Sequence, residues 1–301
     1  MPTFNTILSQ SFVEASSQLD AACAWIKQLG INYSPTRVGK YKSIFTALAS
    51  HQLAGSLEQL AHKLPEAEFV NAAHESAEVV RIYQGLAGVN DPLLVARLRD
   101  ALRGHNLYVL DKENRSGRDF SFELVIAAKF AKAGAFVDFG HLADLRSNHQ
   151  GHQLFVECKR LKSIQKVKER IKGGLRQLHA RYESTDDPEN ARGLLVVAAG
   201  KLYNAELGYI KATDVQDLTR KTAAFTTSFI EKYRNLWQER PDPRTIGVLV
   251  VFDAPAILKP RNLLVTCHEV GISHCMPMDS PRFPYYLSLG QLFDANRLLQ
   301  S

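Results

Sequence analysis

Residues 143–160 read ADLRSNHQGHQLFVECKR. HQLFVECKR has the alternation of a β-strand, and NHQG before it is a turn signal, so the stretch predicts a hairpin. Side chains alternate across a sheet. Phe155, Glu157 and Lys159 therefore share one face, and Leu154, Val156 and Cys158 share the other. Two residues of strand rise separate Glu157 from Lys159 by about 7 Å. A turn near 148–151 returns Asp144 to a place opposite residues 155–157. Two carboxylates and a lysine on one sheet face make a seat for a hard cation such as Mg²⁺, which takes one or two carboxylates and fills its shell with water and substrate phosphate. The same residues also suit a structural Asp–Lys–Glu ion cluster at a strand end.

The flanking sequence bears on that choice. Upstream, Glu123 lies in FSFELVIAA, a helix apolar on nearly every side. A carboxylate buried there needs a partner or a metal; Arg118 is the nearest candidate partner in sequence, and surface exposure is the other way out. Downstream, SIQKVKERIKGGLRQLHARY predicts an amphipathic helix, with Ile164, Val167, Ile171, Leu175, Leu178 and Tyr182 on its apolar face. Lys166, Arg170, Gly173, Gly174, Gln177 and Arg181 form a second stripe that begins just past Lys159. Each glycine inside a helix costs about 1 kcal/mol relative to alanine, which marks either a close approach by a partner or a kink.

The series Glu123 on a helix, Asp144 at a strand, Glu157-x-Lys159 on the next strand and Gln177 on the following helix resembles the PD-(D/E)xK nuclease superfamily, over about residues 113–255. Ala143 stands where that motif often has proline. The resemblance implies a restriction-endonuclease-like αβββαβ core that cuts phosphodiester bonds with Mg²⁺, Mn²⁺ being the expected substitute. It implies Asp144 and Glu157 as metal ligands, Lys159 as the catalytic lysine, Glu123 as an auxiliary acid and metal ligand, and Gln177 as a site residue. DNA is the expected substrate, with RNA as the other polynucleotide. Restriction, repair and defence against invading DNA are the roles such nucleases serve. Expected phosphate contacts are Lys166, Arg170, Gln177, Arg181 and Arg160.

Outward from the hairpin, the elements run α, β, β, β, α, β, α, β, β. GLLVVAAG and TIGVLVVFDA are continuous apolar runs of the kind found in fully covered strands. The expected fold is an α/β mixed sheet flanked by helices, over residues 113–301. Residues 1–112 read as mostly helical: an α-helical N-terminal domain, or helices packed on the following core. Dimerisation or binding of a protein partner is an open role for them.

The formal charge of +6 is uneven. Residues 1–112 carry ten Lys/Arg and ten Asp/Glu, whereas residues 157–182 alone carry nine Lys/Arg against two acids. A basic segment beside clustered carboxylates points to a polyanionic partner. The four cysteines are scattered, which fits a reducing compartment. No secretory signal and no membrane-length apolar run is evident, so a cytoplasmic location is expected. No P-loop, G-x-G-x-x-G or G-x-S-x-G occurs, which argues against nucleotide-driven motors, dinucleotide enzymes and serine hydrolases.

Lesser signals are His141, His149 and His152 around the hairpin, Asp138 as an alternative acid, Asp119 as a helix cap, and CHEVGISHC at 267–275. In the last, adjacent Cys-His pairs point to opposite faces and favour packing over zinc. The reading from a different functional class is a catalytically silent subunit that keeps the fold and binds nucleic acid or assembles with partners.

Overall fold

The computed structural model describes residues 3–8, 10–110, 117–140, 143–203, 209–239, 242–259 and 263–298. Its centre is an eight-stranded mixed sheet. The strands are β1 (Thr3–Leu8), β2 (Phe136–Asp138), β3 (Leu145–His149), β4 (His152–Arg160), β5 (Ala191–Ala198), β6 (Ile210–Ala212), β7 (Thr245–Leu258) and β8 (Leu263–His274). Their spatial order is β1-β8-β7-β5-β4-β3-β2, with β6 paired to the far end of β7. β2, β3 and β4 form an antiparallel meander. β4, β5 and β7 run parallel.

The β3–β4 hairpin closes with a two-residue loop, Gln150 (φ 49°) and Gly151 (φ 78°). Positive φ at both central positions matches the right-handed strand twist and fixes the register. A one-residue slip would send every side chain of β4 to the wrong face. β5 and β7 are buried almost throughout, as their unbroken apolar sequences require.

Helices cover both faces. One layer holds α1 (Phe12–Gln28), α2 (Arg37–Leu53), α4 (Glu66–Leu86), α5 (Pro92–Ala101), α6 (Gly117–Lys132) and α11 (Phe283–Leu298). The short α3 (Leu57–Ala61) joins α2 to α4. Sequence-local devices start these helices. Ser11 and Glu14 form a reciprocal capping box on α1, and Asp91 caps α5, with Pro92 in its first turn. The second layer holds α7 (Val167–Glu183), α9 (Val215–Tyr233) and α10 (Asn235–Gln238), while α8 (Gly200–Tyr203) follows β5 directly.

Strand alternation feeds two cores. Leu154, Val156, Leu194, Val196, Leu249 and Val251 join the core shared with α1, α2, α4, α5 and α6. Phe155, Leu195, Val197, Val248 and Val250 join the one under α7 and α9.

Residues 1–112 are mostly helical but open with a strand, β1, which pairs antiparallel with β8. Their helices pack onto the sheet, sharing its core. A buried triad ties this layer together: Arg37 Nε and Arg118 Nε each reach a carboxylate oxygen of Glu75 at 2.7 Å. Arg37 also donates to Ser121 Oγ and the Arg103 carbonyl, and Arg118 donates to the His105 carbonyl. α2, α4, α6 and the 103–105 turn are thereby locked to one carboxylate.

Candidate active site

The hairpin register pairs Leu145 with Val156, so its next step sets Asp144 opposite Glu157. The Asp144 carboxylate accepts the backbone N–H of Cys158 at 2.8 Å. Lys159 Nζ donates to Glu157 Oε2 at 3.2 Å and to the Cys158 carbonyl at 3.1 Å, and lies 3.7 Å from Asp144 Oδ2. From α7, Arg181 Nε donates to the other oxygen of Glu157 at 3.2 Å. Glu157 is only 1% exposed, whereas Asp144 and Lys159 retain limited access to solvent.

Glu123 reaches the same neighbourhood from α6. Its partner is Arg97 of α5, at 2.8 Å. Arg118, the partner suggested by sequence proximity, is instead committed to Glu75. Burial pushes the Glu123 carboxyl up to about 8, and the negative charge of Asp144 adds to the rise; Arg97 and Lys159 offset only part of it. Glu157 is also raised, first by burial and then by Asp144, against the pull of Lys159 and Arg181. The charge of Asp144 thus opposes the ionisation of both buried glutamates.

Among the described residues, no three His, Cys, Asp or Glu side chains stand together as a ready metal cage. Lys159 Nζ lies within 4 Å of both the Asp144 and the Glu157 carboxylate. The donor chemistry nevertheless suits a hard cation. It comprises two carboxylates and a backbone carbonyl, all oxygen.

Beside this cluster α7 bounds a groove of 580 Å³, lined by Lys159, Arg170, Gly173, Arg176, Gln177 and Arg181, with Glu169 as its one acid. Arg170, Gln177 and Arg181 therefore lie where the sequence stripe put them, and Arg176 is a cation the stripe missed. Two expected phosphate contacts lie elsewhere. Lys166 ends a 3₁₀ turn before α7, exposed and outside the groove lining. Arg160, one residue past Lys159, goes to the opposite layer, as alternation demands, and sits 5.2 Å over the Tyr108 ring.

The two helical glycines separate cleanly. A Cβ on Gly174 would meet Leu195 Cδ1 at 2.5 Å and Lys159 Cγ at 3.3 Å, so close helix–sheet packing requires that residue. A Cβ on Gly173 would meet nothing within 4 Å.

The remaining signals resolve into packing. His149 and His152 both lie edge-on to Tyr285 of α11, with ring centroids 5.3 Å apart. His141 lies outside the described residues. Asp138 pairs with Arg146, and Asp119 pairs with Lys162. In the 267–275 string, Cys267 joins the core beneath α9, and His268 bonds Asp253 across the sheet pairing.

Sequence reasoning also missed a second buried charge cluster. Asp253 accepts from Arg81 at 3.2 Å and pairs with His268 at 2.5 Å, fastening α4 to β7 and β8. Its only signal was an aspartate closing an apolar strand run. A cavity of 640 Å³ between α1, α4 and β8 has Phe12, Val80, Tyr83 and Val265 in its walls and includes none of the acid–lysine set. The acid–lysine set lies instead at the β4 end, beside the α7 groove.

Among the described residues, no helix is long and apolar enough to cross a membrane. Comparison of the chain with protein-family models, curated proteins and solved structures finds no match.

Proposed function

We propose that this protein is a metal-dependent nuclease that hydrolyses phosphodiester bonds in DNA, built on a PD-(D/E)xK-type core. The observation that carries the reading is the convergence of Asp144 and Glu157 on Lys159 Nζ, at 3.7 and 3.2 Å, at the open end of β4. The order α6, β2, β3, β4, α7, β5 supports it, as does the basic groove that begins at Lys159.

In this reading Asp144, Glu157 and the Cys158 carbonyl would hold Mg²⁺, with Glu123 supporting them. The metal, when bound, lowers the pKa of water and offsets charge on the phosphate oxygens. Lys159 then points its ammonium at the attacking water and at charge developing on phosphorus-bound oxygen. Arg181 fixes the Glu157 carboxylate from the α7 side. Arg170, Arg176 and Gln177 seat the strand. Water adds to phosphorus in line with the departing sugar oxygen and that P–O bond breaks; the water gives its proton to solvent and the sugar oxygen takes one from it.

One observation favours a second reading, a silent nucleic-acid-binding subunit: Lys159 and Arg181 already neutralise Glu157 without any metal. The two separate in a cleavage assay on plasmid, linear and single-stranded DNA and on RNA, with Mg²⁺, Mn²⁺ or EDTA. The expected result is metal-dependent cutting of DNA, reduced about 10²-fold or more in Lys159→Ala and Glu157→Ala. Equal activity in both variants and wild type would remove the site assignment. Tight DNA binding with no cutting under any metal would establish the silent subunit.

A further inference from the structure

Gly174 has an internal reason to be glycine; Gly173 has none in the chain itself. It sits inside α7, where glycine weakens the helix, and a methyl group there would project into open space. That space is the groove walled by Lys159, Arg170, Arg176 and Arg181, whose one lining acid is Glu169. Arg170, Gly173 and Gln177 follow one another at spacings of three and four, and so lie along one helix stripe. Gly174, next along the helix, packs against the aliphatic stem of Lys159, so a molecule lying along Gly173 also lies beside Lys159.

We propose that Gly173 is the point where the sugar–phosphate backbone of one DNA strand rests against α7. The missing side chain lets the strand approach the helix backbone closely enough for Arg170, Arg176 and Gln177 to reach its phosphates. The inference rests on the nuclease reading and adds to it the path of the strand. It assigns Gly173 a positioning role, exerted through the fit of the strand rather than through chemistry. Charge complementarity selects the occupant: with Lys159 and Arg181 paired to Glu157, Arg170 and Arg176 still outnumber Glu169 in the groove lining, which suits a polyanion, and bare helix backbone suits a bulky one that needs room more than side-chain contacts.

The test uses the full chain and labelled duplex DNA, with the matching single strand and RNA duplex, in EDTA to keep strands uncut and again in Ca²⁺. Gly173→Ala is expected to raise Tm by about 2 °C, because the helix gains and nothing clashes. The same variant is expected to weaken DNA binding about tenfold and to flatten its dependence on salt, because phosphates are held farther from the arginines. Gly173→Ser should behave alike in binding. Gly174→Ala is the contrasting control and should lower Tm. A Gly173→Ala protein with raised Tm but unchanged affinity and salt slope would overturn the inference while leaving the nuclease reading intact. Loss of affinity together with a lowered Tm would make Gly173 structural and overturn it equally. Tighter binding of the RNA duplex would overturn the DNA assignment. A wild-type protein that binds no nucleic acid in either condition would overturn both the inference and the nuclease reading.

Discussion

Lys159→Met in metal-free buffer probes the acid cluster directly, because methionine keeps most of the side-chain volume and removes the charge. The lysine ammonium lies 3.2 Å from Glu157 and 3.7 Å from Asp144. At an effective dielectric of about 20, each contact carries about 5 kcal/mol of attraction before desolvation is charged against it. Breaking a buried pair from one side leaves a net loss of about 3 kcal/mol, a fall in Tm of about 6 °C for a chain this long. The loss has a pH signature. Glu157 is already raised by burial and by Asp144, and without the lysine it rises further. The folded state then holds a proton that the unfolded state releases, so stability falls as pH rises through the folded pKa. The variant should lie closest to wild type at low pH and farthest from it at alkaline pH. Mg²⁺ should reverse the defect, because the space left by the ammonium opens between two carboxylates. Ten times the dissociation constant adds about 1.4 kcal/mol, or about 3 °C, and the gain should exceed that of wild type, where Lys159 competes. Thermal melts across pH and Mg²⁺ concentration measure all of this. If Mg²⁺ stabilises Lys159→Met no more than wild type, Asp144 and Glu157 are not a metal seat.

Two other substitutions probe the flanking charges. Glu123 titrates near 8 when folded and near 4.5 when unfolded, so it makes stability decline as pH rises between those values; Glu123→Gln should flatten urea-unfolding free energy across that window by up to about 1.4 kcal/mol per pH unit, and an unchanged slope would show that Glu123 is not held protonated. Glu75→Gln leaves Arg37 and Arg118 buried without a counter-charge; it should cost about 3–5 kcal/mol, read as a lowered urea midpoint.

The elements legible in the sequence are those whose signals are local. β3, β4 and their turn come from alternation plus Gln150-Gly151, and α7 from apolar spacing of three and four. The convergence of Asp144, Glu157 and Lys159 follows from hairpin arithmetic, since the register is set within a few residues of the turn. What escaped depends on contacts distant in sequence. β1 lies beside β8 across some 260 residues, and its six residues carry no turn of their own. β6 is three residues long and exists as a strand only through β7. Arg97 was invisible as the partner of Glu123, because α5 and α6 meet in space while residues 98–122 separate the two in the chain. Arg160 was assigned to the phosphate track by charge alone, although the alternation that placed Lys159 had already sent it to the other layer.

The Asp144–Cys158 hydrogen bond has a consequence for how this site can vary. In Glu157-x-Lys159 the middle position looks like a blank. Its side chain belongs to the hydrophobic interior, but its amide group holds the aspartate from the neighbouring strand and its carbonyl receives the lysine. The identity of residue 158 is therefore constrained by volume and polarity, while its peptide group is part of the acid–lysine cluster. Valine or alanine there would preserve the alignment of both charged groups. Proline, lacking the N–H, would release Asp144 without touching any charged residue. The tripeptide carries its information in the main chain at its centre and in the side chains at its ends.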